Sequence, residues 1–204
     1  DVTVPVYNFT ETHYLPDDWW NKTYPDEVEV LTDGPFGSAS FASEVWRSQV
    51  QAFLRAYIAH LRAVGLYDRV IAYQPATGVC GEWIKSWSSM ETACGDFSAP
   101  MRNAFRAWLR RRYHEDVQAL RAAWGDAEVS FDSAEVPSTE EQRTTTRHLF
   151  RDPAREQKTI DYYACYAETS ADALLGFCRT TKEETGGDKL TGAFYGYQME
   201  LSWN

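Results

Sequence analysis

Two carboxylates stand where acid or base chemistry could be done. Glu82 lies in the Gly-bearing run Gln74-Pro75-Ala76-Thr77-Gly78-Val79-Cys80-Gly81-Glu82-Trp83, pressed between Gly81 and Trp83. Apolar packing against Trp83 and Trp87 would raise its pKa toward neutrality, the state in which a carboxyl can protonate a leaving oxygen. The alternative is that Glu82 accepts backbone hydrogen bonds and stiffens its loop. Glu200 follows Phe194-Tyr195-Gly196-Tyr197-Gln198-Met199 and is either a second working carboxylate or a solvated end residue. If both work, they face each other at about 5–5.5 Å in a retaining hydrolase, or about 6.5–9.5 Å in an inverting one.

Aromatic residues surround these candidates. Trp19, Trp20, Trp83, Trp87, Tyr195, Tyr197 and Trp203 fall in loops, whereas Trp46, Trp108 and Trp124 fall on apolar helix faces. A sugar ring lays its C–H face on an aromatic ring while its hydroxyls reach Asn, Gln or carboxylates, so this rim, with Gln74 beside it, suits carbohydrate. Rings capping the core beneath long loops are the competing account.

Other chemistries find little support. His13, His60, His114 and His148 lack HExxH spacing, and there is no G-x-S-x-G, P-loop or G-x-G-x-x-G. Cys80, Cys94, Cys165 and Cys178 form neither a CxxC pair nor a zinc pattern, so neither a metal nor another cofactor is expected. A Cys80–Cys94 bridge and free thiols both remain open. Asn8-Phe9-Thr10 and Asn21-Lys22-Thr23 match the glycosylation pattern, which matters only on a eukaryotic secretory route.

The elements that must position these residues alternate. Val2 to Tyr7 reads as a strand, followed by a long polar and aromatic loop with a turn at Asp33-Gly34-Pro35. Trp46, Val50, Phe53, Leu54, Tyr57, Ile58, Leu61 and Val64 recur at helical spacing between a Ser43 cap and Gly65. Arg69 to Gln74 reads as a buried strand stopped by Pro75. Two helices in series run from Ser98 to Gly125. The polar stretch 126–153 is either an active-site excursion or mobile. A third helix spans about Arg155 to Thr185, with Ile160, Tyr163, Ala167, Ala171, Leu174, Phe177 and Cys178 inward, and Lys189 to Tyr197 makes a last strand.

Strands joined by helical crossovers pair in parallel, which predicts an α/β domain of about three parallel strands with long crossover helices. Ligands meet such sheets at the carboxyl ends of the strands, which selects 8–20, 74–87 and 195–203. Three strands are too few for a closed eight-stranded barrel, so the chain reads as a portion of one or as a small open sheet. Open edges and an uncovered inner face invite self-association.

The 204 residues allow one domain or at most two small ones, and 44% hydrophobic with 15% aromatic residues suits a packed core. A net charge of −10 repels phosphate backbones and anionic lipid, so nucleic acid and membrane are not expected partners. The cluster Arg110-Arg111-Arg112 reads as a solvated helix face. No apolar run is long enough to span a bilayer, and the start, Asp1 without Met, carries no export signal, as a processed or excised piece would not.

The runs Ser40-Phe41-Ala42-Ser43-Glu44-Val45-Trp46-Arg47, Gly78-Val79-Cys80-Gly81-Glu82-Trp83, Phe105-Arg106-Ala107-Trp108-Leu109-Arg110 with Ala123-Trp124-Gly125, and Gly192-Ala193-Phe194-Tyr195-Gly196-Tyr197 resemble family 42 glycoside hydrolase-like proteins, which include β-galactosidases. The resemblance implies a retaining (β/α)8 TIM barrel, of which residues 1–204 would be one α/β domain holding the third, fourth and fifth strands. It implies action on β-linked sugars, with Glu82 as acid/base and the nucleophile strand lying beyond Asn204. Studied members end the fourth strand with an Asn-Glu pair after Trp-Gln, whereas here Tyr73-Gln74 leads to Thr77-Gly78. A non-catalytic carbohydrate-binding or structural fragment is the competing reading. Completion of the barrel would come from self-association or from a missing partner segment.

Overall fold

The computed structural model describes residues 2–7, 19–32, 34–77, 83, 94–148 and 150–195, with the backbone alone at 2–7, 19, 20 and 35–37. Strand β1 (Val2–Tyr7) leads to a short helix α1 (Trp19–Thr23), then to strands β2 (Val28–Leu31) and β3 (Gly34–Ala39). β2 and β3 form an antiparallel hairpin, Val28 opposite Ala39 and Leu31 opposite Gly34. Gly34 and Pro35, expected in a turn, open β3 instead, and the hairpin and α1 replace parts of the loop read from sequence. Gly-Pro-Phe-Gly-Ser-Ala is a poor strand by composition, so its pairing comes from context and not from propensity.

Helix α2 (Glu44–Ala63) starts where the Ser43 hydroxyl accepts the Trp46 N–H at 3.0 Å, and Gly65 (φ 71°) turns the chain after it. Its buried face is Trp46, Val50, Leu54, Ile58 and Leu61. Strand β4 (Val70–Ala76) follows and pairs in parallel with β1, through Tyr73 opposite Val4 and Ala76 opposite Tyr7. Pro75 does not end this strand: it pairs with Val6, and β5 runs beside β4 only at Ala72 and Tyr73, so no ladder bond is lost at the proline.

Helices α3 (Ala99–Arg112) and α4 (Val117–Trp124) stand in series, capped by Ser98 and Asp116, with Gly125 left-handed at the end. A short helix α5 (Thr139–Arg143) carries a capping box between Ser138 and Glu141. Helix α6 (Pro153–Glu184) has 32 residues, about 48 Å at 1.5 Å per residue, far longer than the sheet is tall. Strand β5 (Leu190–Thr191) pairs in parallel with β4, giving the sheet order β1-β4-β5. The fold is therefore α/β, with one small parallel sheet of three strands and one antiparallel hairpin among the described residues.

The length of α6 lets it serve two cores. Its second half lends Ala173 and Phe177 to a cluster with α2 and with Val70 and Tyr73 of the sheet. Its first half lends Tyr162 and Cys165 to a cluster with Met101, Phe105, Trp108, Leu109 and Leu120. Part of the stretch 126–153 packs into this second core, through buried Val129, Phe131, Ala134 and Val136. The buried stripe of α6 is rotated from the one expected: Thr159, Tyr162, Cys165, Ser170, Ala173, Phe177, Thr180 and Thr181 face in, while Tyr163 is 42% exposed. Hydropathy misleads here because Thr180 and Thr181 donate to the Gly176 and Phe177 carbonyls one turn back, which allows hydroxyls in a core. Arg110 of the basic cluster is paired with Glu115 and Asp132 at the surface. Cys94, Cys165 and Cys178 are free thiols.

Candidate functional site

The carboxyl ends of β1 and β4 come together in register, and Gly192, just past β5, donates its N–H to the Tyr73 carbonyl at 3.3 Å. A groove of about 290 Å³ runs between Ala72–Gln74 and Leu190–Phe194. Tyr73 is fully buried in the core beneath the helices, so Gln74, next along the strand, is directed to the other face of the sheet, where it lines the groove. Burial pushes the Tyr73 phenol above its ordinary pKa, and neighbouring Tyr67 and Tyr57 add to this.

Trp83 follows the end of β4. It is 6% exposed, its N–H donates to the Thr77 carbonyl at 2.9 Å, and its indole N–H donates to the Pro75 carbonyl at 2.9 Å. Its ring lies 5.5 Å from Phe41, 6.0 Å from Phe177 and 6.4 Å from Tyr195. Trp83 thus sits in the core as a cap and offers the groove no free face.

A second anchor stands at Cys94. Cys94 and Thr32 exchange bonds: the Thr32 N–H donates to the Cys94 carbonyl at 2.9 Å, and the Cys94 N–H to the Thr32 hydroxyl at 3.0 Å. The Phe97 N–H donates to the Val30 carbonyl at 2.7 Å, so 94–97 lie along β2 like a further strand. Asp96, wholly buried, accepts the Val30 and Ser98 N–H groups at 3.0 and 2.8 Å on one oxygen. The Tyr162 hydroxyl of α6 bonds both the N–H and the carbonyl of Asp96. Burial holds that phenol well above its ordinary pKa, with the charges of Asp96 and Glu29 pushing the same way.

Of the residues singled out in the sequence, Gln74 lines the groove. Tyr195, 45% exposed, turns its hydroxyl to the Ala167 carbonyl on α6, at 3.3 Å. Trp19 and Trp20 open α1, their side chains outside the described residues. Glu82, Trp87, Tyr197, Trp203 and Glu200 also lie outside the described residues. Phe194, 59% exposed and on the groove wall, was not singled out. The run Phe194-Tyr195 gave an aromatic signal without saying which ring faces the groove. Among the described residues no cluster of His, Cys, Asp and Glu is placed to hold a metal ion, and no helix is long and apolar enough to cross a membrane.

This α/β fold is similar to that of several solved structures. A family 42 β-galactosidase from G. stearothermophilus matches with a TM-score of 0.62 and 16% identity, over 92% of this chain and 25% of that one. The β-galactosidase from Bacillus circulans sp. alkalophilus matches with a TM-score of 0.61 and 15% identity, over 86% and 25%. The catalytic domain of a β-amylase from Paenibacillus polymyxa matches with a TM-score of 0.67 and 13% identity, over 94% and 49%. The chain therefore spans about a quarter of the length of these β-galactosidases. No protein family's sequence profile matches the chain, and no curated protein does.

Proposed function

We propose that residues 1–204 form one α/β domain, the central part of a (β/α)8 glycoside hydrolase barrel acting on β-linked sugars such as β-galactosides. The observation that supports this is the parallel order β1-β4-β5, which brings the carboxyl ends of β1 and β4, Tyr7 and Ala76, together along one edge of the sheet. In such folds substrate is met at that edge. Glu82, next to the anchored Trp83, would give its proton to the glycosidic oxygen as the C–O bond breaks, while a second carboxylate attacks the anomeric carbon. Glu82, now ionised, would then take a proton from the water that displaces the enzyme carboxylate. Glu200, or a carboxylate on strands completing the barrel, would serve as nucleophile. Gln74, Trp87, Tyr195 and Tyr197, with Trp19 and Trp20, would hold the sugar.

A second reading has its own support: β4 ends in Gln74-Pro75-Ala76, with Thr77 next, and carries no carboxylate at the strand terminus itself. On this reading the domain binds carbohydrate without catalysis. Hydrolysis of a panel of aryl β-glycosides by the folded protein, beside Glu82→Gln, separates the two. An acid catalyst loses about 10²- to 10⁴-fold in rate on that substitution, whereas a binder shows no hydrolysis and keeps its affinity to within the loss of one hydrogen bond.

Exposed Ile71, Leu190 and Phe194, together with an outer edge of β5 that pairs with no strand among the described residues, support completion of the sheet by further strands or by a second copy of the chain. A monomer by light scattering would remove the second copy from this proposal.

A further inference from the structure

The groove between β4 and β5 carries one open ring and one open amide. Phe194, 59% exposed on its wall, makes no ring contact among the described residues. Its neighbour Tyr195 is committed elsewhere, with its ring 6.4 Å from Trp83 and its hydroxyl given to the Ala167 carbonyl of α6. Across the groove, the side-chain amide of half-buried Gln74 makes no hydrogen bond among the described residues. Two other polar groups of the lining are engaged: the Thr191 hydroxyl donates to the Cys178 Sγ at 3.4 Å, and the Tyr73 carbonyl accepts the Gly192 N–H. Among the described residues, none that lines the groove is Asp, Glu, Lys, Arg or His.

These walls restrict what can lie between them. A wholly apolar occupant would bury the Gln74 amide without a partner, at a cost of about 1–3 kcal/mol. A charged occupant would meet no counter-charge there, and the net charge of −10 disfavours an anion further. A neutral molecule with a C–H face for the ring and hydroxyls for the amide satisfies both walls, and a sugar ring is such a molecule. At about 290 Å³ the groove is at the bottom of the range of ligand sites, about 300–1,000 Å³, so it takes a single ring and not a chain of them.

We infer that this groove is a subsite for one neutral sugar ring, with Phe194 as the platform under the ring and Gln74 as the partner of its hydroxyls. The inference rests on the carbohydrate reading above and is the same for a hydrolase and for a binder. It assigns Phe194 a role in the groove that its neighbour Tyr195, held on α6, does not fill.

A matched pair of ligands tests this: methyl β-galactoside and its C6 carboxylate counterpart, methyl β-galacturonide, each titrated into 15N-labelled protein, with Gln74→Ala to assign the Gln74 amide signal. The galactoside should move that signal, and the galacturonide should bind about tenfold less tightly or worse. Phe194→Ala should weaken galactoside binding about two- to tenfold, whereas Phe150→Ala, which removes an exposed ring in the turn 147–150, should leave it unchanged. Galactoside binding that neither moves the Gln74 signal nor weakens in Phe194→Ala overturns the inference and leaves the carbohydrate reading standing, with the sugar held elsewhere. A galacturonide bound as tightly as the galactoside overturns the restriction to neutral rings. No shift with either sugar, up to its solubility, overturns the inference, and hydrolysis of the aryl β-glycoside panel then decides alone whether the carbohydrate reading falls with it. If Phe194→Ala does not fold, Phe194→Leu, which keeps apolar bulk and removes the ring, is read by the same titration, and an unchanged affinity overturns the platform role.

Discussion

The indole N–H of Trp124 donates to the Asp161 carboxylate at 2.8 Å, joining the end of α4 to the middle of the second core on α6. The same oxygen accepts the Tyr113 hydroxyl at 2.6 Å, and the other accepts the Gln157 amide at 2.8 Å. Asp161 is 1% exposed. Three neutral donors thus hold a buried carboxylate, and two of them tie the ends of α3 and α4 to α6. Asp161→Ala leaves all three donors unmet and should lower stability by about 3 kcal/mol, at about 1–3 kcal/mol for each buried group left without a partner and with some recovered through water. Urea unfolding reads this; a loss below about 1 kcal/mol would show that the three bonds are not what holds α3 and α4 against α6.

Gly95 lies opposite Leu31, where 94–97 run beside β2. A β-carbon there would stand 2.5 Å from Leu31 Cδ2 and 2.9 Å from the Val30 carbonyl oxygen. The leucine tip can swing aside, but the backbone oxygen cannot. Gly95→Ala should therefore part this segment from β2 and cost about 1–3 kcal/mol, the usual penalty for overpacking. Amide exchange checks it: the N–H groups of Thr32 and Phe97 should exchange faster in the variant while those of α2 do not.

Much of this architecture is legible in the sequence because it is local. Ser43, Ser98 and Asp116 cap helices, Gly65 and Gly125 close them, and each signal acts within one turn of chain. The hairpin β2–β3 is not legible, since its strands are held by Asp96 and Tyr162 from 66 or more residues away along the chain. Nor is the buried face of α6, where Thr159, Ser170, Thr180 and Thr181 do the packing expected of apolar residues. At the site, strand-end placement could be read for Gln74 from the strand pattern. The burial of Trp83 could not, because it depends on Phe41, Phe177 and Tyr195, which converge only in three dimensions.

Burial raises the Cys165 thiol from 9.0 to about 12, against a weak opposing contact with the Thr169 hydroxyl. A group whose pKa is raised on folding stabilises the fold fully below its unfolded value and ceases to do so as pH climbs through the folded one. Stability from Cys165 is thus present below about pH 9 and lost between about pH 9 and 12. Tyr73, Tyr113, Tyr162 and Tyr163 are raised likewise and add their own decline as pH nears the ordinary phenol value of about 10, so Cys165→Ala should lessen the decline that begins near about pH 9 without removing it. Alkylation followed by peptide mass mapping gives the companion result: near pH 8, half-buried Cys94 and Cys178 label before Cys165. Early labelling of Cys165 in folded protein would contradict this.

On the acid side the informative carboxylate is Glu156, at the kinked start of α6. The Asp152 N–H and the Thr146 hydroxyl, which it accepts, hold its pKa below the usual carboxylate range against the opposing effect of burial, and Arg151 adds at 3.7 Å. Glu141 is lowered too: burial opposes ionisation there, and the Lys158 ammonium with the Ser138 N–H outweighs it. A carboxyl depressed by folding stabilises the protein above its unfolded pKa, and that contribution disappears as pH falls through the folded value, because the unfolded chain takes up the proton first. Glu156→Gln should therefore be less stable than wild type near pH 7 and approach it near pH 3. Urea midpoints at the two pH values decide the matter. An equal gap at both would mean that the side chain acts by shape and hydrogen bonding alone, with its charge contributing nothing to the closure of 144–152 onto the helix.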